Sequence, residues 1–424
     1  MTLIKKPVTG MKDILPDEME LRDYLIAIIK KTYRSYGFTP IETPAAEHIG
    51  NLLSSQGGEN EKLIFKILKR GEKLNLNNVD KELDLTDMGL RYDLTLPLAR
   101  YFAANSSKLP MPFKALQIGS VFRADRPQKG RYRQFTQCDI DIIGDASEFA
   151  EIELLLAAAS VLSKICPENK FFIRLNNREI LKAMSEYAGF ISDKLSDVFI
   201  ILDKMDKIGL AGVQKELIES GCDEKSTSKY TGLLHKLSES KDISKTGDLL
   251  KKELEGFINE EVVDSFIFTS EIVNNCKSLD FDIVFDPSLV RGMGYYTGTV
   301  FEISMDGFSG SVAGGGRYDK MIGKFTGTDT PACGFSIGFE RIIAILCDSG
   351  FKIPSLNEKT AFLYEKGIDR KILSDILREA EAERTDGKTV LVSSMNKNKK
   401  FQKEQLNKQG YTDFREFYRQ ELKR

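Results

Sequence analysis

Residues 113 to 143 constrain the fold most. Two runs of strand composition, KALQIGSVFRAD and YRQFTQCDIDII, flank the short polar loop RPQKGR. Strands joined by so short a loop lie antiparallel and pair with each other. The chain must therefore be organised around an antiparallel sheet.

Elements on either side extend this picture. After Pro16, the residues Leu21, Tyr24, Leu25, Ile28, Ile29, Tyr33 and Tyr36 recur at steps of three and four, the stripe of an amphipathic helix. Gly37 supplies its C-cap. FTPIETPAAEHI then starts as a short extended segment with Pro44 inside it, a residue that suits an edge strand or a subunit boundary. Residues 61 to 95 alternate charged and apolar positions and read as hairpin strands leading into RYDLTLPLARYF. Beyond the central hairpin come a helix over about 147 to 166, the strand FFIRL, and a largely helical stretch to about 280 with repeated Lys and Glu. Strands return at FDIVFDP and YYTGTVFEIS, followed by a glycine-dense turn and the strand-to-helix passage ACGFSIGFERIIAILCD. The last segment reads as strand TAFLYE, helix ILSDILREAEAE, strand KTVLVSS and a basic helix near 399 to 409.

The expected fold class is thus α+β, an antiparallel sheet flanked by helices. Its core occupies residues 1–165 and 281–350, interrupted by a mainly helical insertion at 166–280 and followed by a small α/β domain at 358–424. A length of 424 residues agrees with several domains.

Composition narrows the function classes. With 41% hydrophobic and 29% charged residues the chain has ordinary globular usage. Lys and Arg total 61 against 63 Asp and Glu, so no global basic field holds it on nucleic acid, and any RNA contact must be local. The six cysteines form no C-x-x-C pair and read as buried small residues, with neither a zinc site nor a disulfide framework expected. His48 and His235 are too far apart in sequence for a local metal pair and receive no catalytic role. The N-terminal segment has no apolar core of signal-peptide length, and no uncharged apolar run of about 18 residues occurs, so a cytoplasmic enzyme is expected.

Three segments carry chemistry. In FRADRPQKGRYRQF, residues 122 to 135, Arg123, Arg126, Lys129, Arg131 and Arg133 crowd between two strands. A guanidinium presents a planar fork of donors that matches phosphate oxygens, yet taken alone this is also a solvated hairpin with a basic tip. In VRGMGYYTGTVFE, Arg291 and the adjacent tyrosines start a new strand, and in GFERI, Arg341 lies on a helix whose positions 339, 342, 343 and 346 face the core. The tyrosines read equally as core packing, and Asp93 as a turn or surface charge. GFSGSVAGGGRYD lacks the Gly-Lys-Ser/Thr ending of a P-loop and the dinucleotide spacing. A glycine-rich hairpin that lets backbone approach a substrate is the better account.

Together these segments resemble the class II aminoacyl-tRNA synthetases, and specifically the histidyl-tRNA synthetase family. FRADRPQKGRYRQF with QCDIDIIG is similar to the family's motif two, GFSIGFERI to motif three, and the strand around Pro44 to the weaker motif one. LVRGMGYYTG and AGGGRYD resemble the two histidine-specific motifs, and RYDLTLPLARY the segment that contacts the amino group. The resemblance runs from about Gly10 to Cys347, interrupted by the insertion.

The resemblance implies ATP-dependent attachment of L-histidine to tRNA(His) through a histidyl-adenylate, with ATP and Mg2+ as cofactors and a homodimer as the assembly. It implies catalytic roles for Arg123, Arg291 and Arg341. Arg123 would hold the α-phosphate and the histidine carboxylate, Arg131 and Arg341 the outer phosphates, and Arg291 the charge developing at the α-phosphate. Phe135 would stack on adenine, with Asp125 in the same ATP set. Asp93, Leu94, Thr95 and Gln137 would surround the α-amino group, and Asp141 with Tyr295 or Tyr296 would read the imidazole. No metal is expected on protein ligands. The last domain would read the anticodon: residues 397–424 hold nine Lys or Arg against four Asp or Glu, an excess of +5.

Three positions depart from the family pattern. Gly294 stands where Asp is common, Asp125 replaces the frequent Glu of motif two, and the C-terminal domain looks shorter by about a helix and a strand. The rival is the non-catalytic paralogue that regulates ATP phosphoribosyltransferase. It should have lost the phosphate arginines and usually the anticodon domain, whereas Arg123, Arg131, Arg291 and Arg341 are all present here.

Overall fold

The structure, a computed structural model, describes residues 3–56, 60–76, 79–128, 130–240, 242–277, 280–291, 296–308, 310–354 and 359–419. Contacts divide the chain into two compact units, Met1–Lys12 with Ile26–Leu346, and Asp13–Leu25 with Cys347–Arg424. In chain order the strands are β1 (Thr39–Pro40), β2 (Ala46–His48), β3 (Lys66–Leu68), β4 (Thr86–Leu90), β5 (Phe113–Phe122), β6 (Gln134–Ile143) and β7 (Phe171–Asn177). They continue as β8 (Phe281–Phe285), β9 (Thr299–Met305), β10 (Ser311–Arg317), β11 (Ala332–Gly338), β12 (Lys359–Tyr364), β13 (Thr389–Ser394) and β14 (Tyr411–Phe417).

The first unit is built on an eight-stranded sheet in the order β1-β5-β6-β11-β10-β9-β7-β8. Its interior pairs are antiparallel, from β5·β6 through β9·β7, and the edge pairs β1·β5 and β7·β8 are parallel. The expected central hairpin is β5 and β6, in register from Phe113↔Ile143 to Phe122↔Gln134. One side of the sheet packs on the helix Phe149–Ile165, whose Leu154, Leu155, Ala158, Val161 and Leu162 are fully buried. A second cluster joins Leu98, Ala99 and Phe102 of the helix Thr95–Asn105 to Phe113, Ala115, Ile143, Tyr318 and Ile322. Burying each such side chain contributes about 1.5–3 kcal/mol.

Several expectations are corrected. Pro44 lies in neither β1 nor β2 but between them, where the chain leaves the large sheet for a small one; a residue without an N–H suits that passage. The strands expected within 61 to 95 are β3 and β4; they form that small sheet, order β2-β4-β3, outside the central one. The glycines of SVAGGGR stand in β10, a strand buried along its whole length, and not in the turn before it. Of the cysteines only Cys138, Cys166 and Cys333 are buried; Cys222 is half-buried, and Cys276 and Cys347 are exposed.

Between β7 and β8 the chain is helical, with helices from Arg178–Ala188 to Glu260–Cys276. β7 itself, inside the stretch expected as an insertion, belongs to the large sheet. Four of these helices start at an Asn or Asp whose side chain accepts from the first-turn N–H groups: Asn177, Asp223, Asp242 and Asn259.

In the second unit, β12 is the centre of a three-stranded sheet, order β13-β12-β14, with parallel pairing on both sides. Ala361, Phe362 and Leu363 are fully buried, and the helix Arg370–Thr385 packs Ile376 and Ala380 on Phe362. The closing strand β14 was not anticipated. Its sequence, YTDFREF, alternates too weakly between apolar and charged residues to signal a strand.

Candidate active site

β6 supplies the floor of the site. Because side chains alternate along a strand, Gln137, Asp139 and Asp141 project from one face. Their neighbours on β11 are Gly338, Ser336 and Gly334. A Cβ on Gly334 would stand 2.0 Å from Asp141 Oδ1, so a hydrogen is all that fits there. The same holds one strand further: a Cβ on Gly314 would lie 2.5 Å from the Arg291 guanidinium, and one on Gly316 would lie 3.0 Å from the Tyr296 ring. The glycines of β10 and β11 thus let functional side chains lie directly on the sheet.

Two adjoining cavities open over this floor. The larger, about 430 Å³, is lined by Arg123, Arg131, Arg291 and Arg341, together with Asp93, Asp125, Phe135, Gln137 and Tyr296. The smaller, about 50 Å³, is lined by Asp93, Thr95, Gln137, Asp139, Asp141, Tyr296 and Tyr318. Arg123 and Gln137 line both and stand at the junction.

The arginines are held in place. Arg123 follows β5 directly, and its N–H continues the ladder to the Arg133 carbonyl at 2.9 Å. Its Nε donates to the Tyr92 carbonyl at 3.1 Å, and its guanidinium lies 4.1 Å from the Tyr92 ring centre and 5.1 Å from that of Phe135. Arg131, half exposed, pairs with Asp125 at 3.0 Å. Arg291 precedes the strand it was expected to start; its Nε donates to Glu302 at 2.7 Å and its other end to Ser311 Oγ at 3.0 Å. Glu302 is itself anchored by Arg174 at 3.3 Å. Arg341 donates to the Ser311 carbonyl, and burial with the nearby Arg291 charge lowers its proton affinity. Two like charges this close call for an anionic partner.

The smaller cavity has the opposite sign. Asp93, Asp139 and Asp141 are all buried. Asp93 Oδ1 accepts from the Leu96 N–H and starts the helix Thr95–Asn105, as the turn reading expects, while the residue also lines the cavity. Tyr318 donates to Asp141 Oδ1 at 2.5 Å. Burial raises the Asp141 carboxyl to about 7 against that hydrogen bond, and burial beside Asp141 pushes Asp139 well above the usual range. Gln137 Oε1 and Asp141 Oδ2 are buried acceptors without a hydrogen-bond partner among the described residues. Such atoms cost free energy unless a ligand satisfies them.

Some expected residues stand elsewhere. Leu94 lines neither cavity: its side chain is buried and its carbonyl accepts from Gln117. Arg133 turns away to the Asp125 and Thr9 carbonyls. Tyr295, Gly294 and Lys129 lie outside the described residues. Sequence reading missed Asp139, Tyr318, Ser336 and Glu302. Asp139 and Glu302 had a signal, a charge in an otherwise apolar strand, and Tyr318 stands in the AGGGRYD segment itself.

A family model described as histidyl-tRNA synthetase matches residues 10–342. The chain is 42% identical to the histidine–tRNA ligase of Leifsonia xyli subsp. xyli (strain CTCB07) over 347 residues, 80% of each chain. It is 41% identical to the probable histidine–tRNA ligase of Tropheryma whipplei (strain Twist) over 380 residues, 88% of this chain and 87% of the relative. The crystal structure of histidyl-tRNA synthetase from Nostoc sp. PCC 7120 superposes with a TM-score of 0.78 at 27% identity, covering 96% of this chain and 90% of that one. An ATP phosphoribosyltransferase regulatory subunit/histidyl-tRNA synthetase from Bacillus halodurans C shares the fold, with a TM-score of 0.78 at 19% identity. With motifs, sheet and paired cavities in agreement, the chain belongs to the histidyl-tRNA synthetase family.

Proposed function

We propose that this chain is the ligase that joins L-histidine to tRNA(His), forming histidyl-adenylate from histidine and ATP before passing the histidyl group to a ribose hydroxyl of the tRNA. One observation carries the reading: an acidic inner cavity opens into a cationic outer one through Arg123. An amino acid with a cationic amino group and a basic ring enters head first, and its carboxylate then emerges at Arg123 beside bound phosphates.

The roles follow from charge and reach. Asp93, Thr95 and Gln137 take the α-amino group. Asp141 accepts from an imidazole N–H, while Tyr296 completes the ring's surroundings and selects its tautomer. Arg123 aligns the carboxylate with the α-phosphorus, and Arg291 stabilises the negative charge that builds there as pyrophosphate leaves. Arg131 and Arg341 hold the outer phosphates, Asp125 positions Arg131, and Phe135 covers the adenine. Neither a protein nucleophile nor a general base is required; alignment and charge stabilisation perform the reaction. Magnesium would enter as part of Mg·ATP and neutralise phosphate charge there. A site that satisfies its own buried polar groups only with imidazole rejects apolar analogues by about 10⁴ to 10⁵.

The regulatory reading is less well supported, because a binding protein has no use for four arginines converging on a phosphate-sized cavity. We further assign the second unit to anticodon contact, the working form to a homodimer and the compartment to the cytoplasm. The test is charging of tRNA(His) with labelled histidine. The chain should charge it, and Arg291→Ala should lower the turnover of adenylate formation by about 10² with a smaller change in histidine affinity. Unchanged turnover would remove Arg291 from the mechanism.

A further inference from the structure

Gln137 has a carboxamide with a donor end and an acceptor end, and nothing in its own chemistry says which end meets the substrate. Its surroundings decide. Gln137 Nε2 donates to Ser336 Oγ at 2.9 Å and lies 3.4 Å from both Asp139 oxygens. The Ser336 hydroxyl hydrogen-bonds in turn to the Asp139 carboxyl. Cross-strand register accounts for this, since Ser336 of β11 is the direct partner of Asp139 of β6. The result is a one-way chain. Burial raises the Asp139 carboxyl in the free site, but beside a bound ammonium it ionises and a carboxylate only accepts, so the Ser336 proton then points at Asp139. The Ser336 lone pair then faces Gln137 and claims its NH2, leaving Gln137 Oε1 buried and unpartnered.

We propose that Asp139, acting through Ser336, is a positioning residue that fixes the carboxamide of Gln137 so that its oxygen, not its nitrogen, faces the α-ammonium group of the amino-acid substrate. The proposal rests on the reading of the smaller cavity as the histidine site and adds a residue to it. Gln137 Oε1 is the atom that touches the substrate; Asp139 does not need to. Its burial among Asp93 and Asp141 is a cost that the incoming ammonium offsets, while the direction of its hydrogen bonds selects for that ammonium. With Asn at 139 the constraint is lost. An Asn NH2 can donate to Ser336, the hydroxyl can turn to Gln137 Oε1, and the carboxamide can then present N–H to an ammonium that also only donates.

The test uses two probes on the full chain: histidinol, which has the ammonium and ring without a carboxylate, and imidazole-propionate, which has the carboxylate and ring without an ammonium. Asp139→Asn should weaken histidinol binding by about tenfold, the scale of one hydrogen bond to a charged group, and change imidazole-propionate binding less than about twofold. A second arm repeats the substitution in the Gln137→Ala background. There Asp139→Asn should cost nothing further, since the residue through which it acts is gone. Ser336→Ala, which changes no charge, should give the same pattern and serves if Asp139→Asn does not fold. Equal loss of both probes, or a full Asp139→Asn effect without Gln137, would overturn the proposal. Failure of the unsubstituted chain to bind histidinol would instead overturn the histidine reading of the cavity, and this proposal with it.

Discussion

Asp141 shows how burial and function meet in one side chain. Its carboxyl is raised to about 7 chiefly by burial, with the Tyr318 hydrogen bond opposing and the Asp93 charge adding to the rise. The sign follows from linkage: a free site with a raised carboxyl holds a proton below that value, and a ligand that donates to the carboxylate favours the ionised form and expels it. Histidine binding at about pH 6.5 should therefore release protons, measured calorimetrically in buffers of different ionisation enthalpy, and the release should shrink by about pH 8.5. Asp141→Asn should remove its share and leave what Asp139 and the ligand's own imidazole give up. Release that is identical in the variant would mean Asp141 is already ionised in the free site. At this scale the sequence was legible for arginines and much less so for acids. Arg123, Arg131 and Arg341 stand in motifs whose composition marks them, whereas Asp139 and Glu302 carry only the weak signal of a charge within a strand until Ser336 is seen opposite the one and Arg291 bonded to the other.

At the scale of the element, β10 and β11 do what a binding loop does in other folds. Their glycines remove the side chains that would otherwise fill the floor, so Arg291, Tyr296 and Asp141 lie against backbone. Gly334 is the tightest case over the smaller cavity: a Cβ there would stand 2.0 Å from Asp141 Oδ1 and 3.0 Å from the Tyr318 ring. Both neighbours are buried and cannot withdraw. Gly334→Ala should therefore cost about 1–3 kcal/mol of stability. It should also raise the KM for histidine by at least about tenfold while the KM for ATP moves little. Equal change in both constants would show that the strand as a whole had shifted. The sequence displayed these glycines but not their place. A cluster such as SVAGGGR reads as a turn by composition, and only pairing with β9 and β11 reveals a central strand. The hairpin β5–β6 was legible because long alternating runs around a short polar loop admit one arrangement.

At the scale of the molecule, the proposed adenylation and tRNA-contact roles fall in different units. Every residue assigned to the phosphates and the imidazole precedes residue 342, where the family model also ends. The basic excess of the C-terminal segment is partly spent inside its own unit: Lys399 and Lys403 pair with Glu416, and Arg415 with Glu379 and Glu383. These partners hold Glu416 at about 2, Lys403 first among them. Fewer cations are then available for RNA than a count of charges implies. Deleting residues 358–424 should preserve adenylate formation, raise the KM for tRNA by about tenfold and weaken its salt dependence, because fewer counterions are released on binding. Equal charging by the truncated protein at every salt concentration would reassign the unit to a structural role. The fold class was legible from the order of motifs, while the closing strand β14 was not, because its apolar and polar positions alternate too weakly. The central claim is chemical, and one assay addresses it most directly: exchange of labelled pyrophosphate into ATP, with each of the twenty amino acids offered in turn. Histidine alone should support exchange; exchange with another amino acid, or none with histidine in protein that still binds it, would contradict the account.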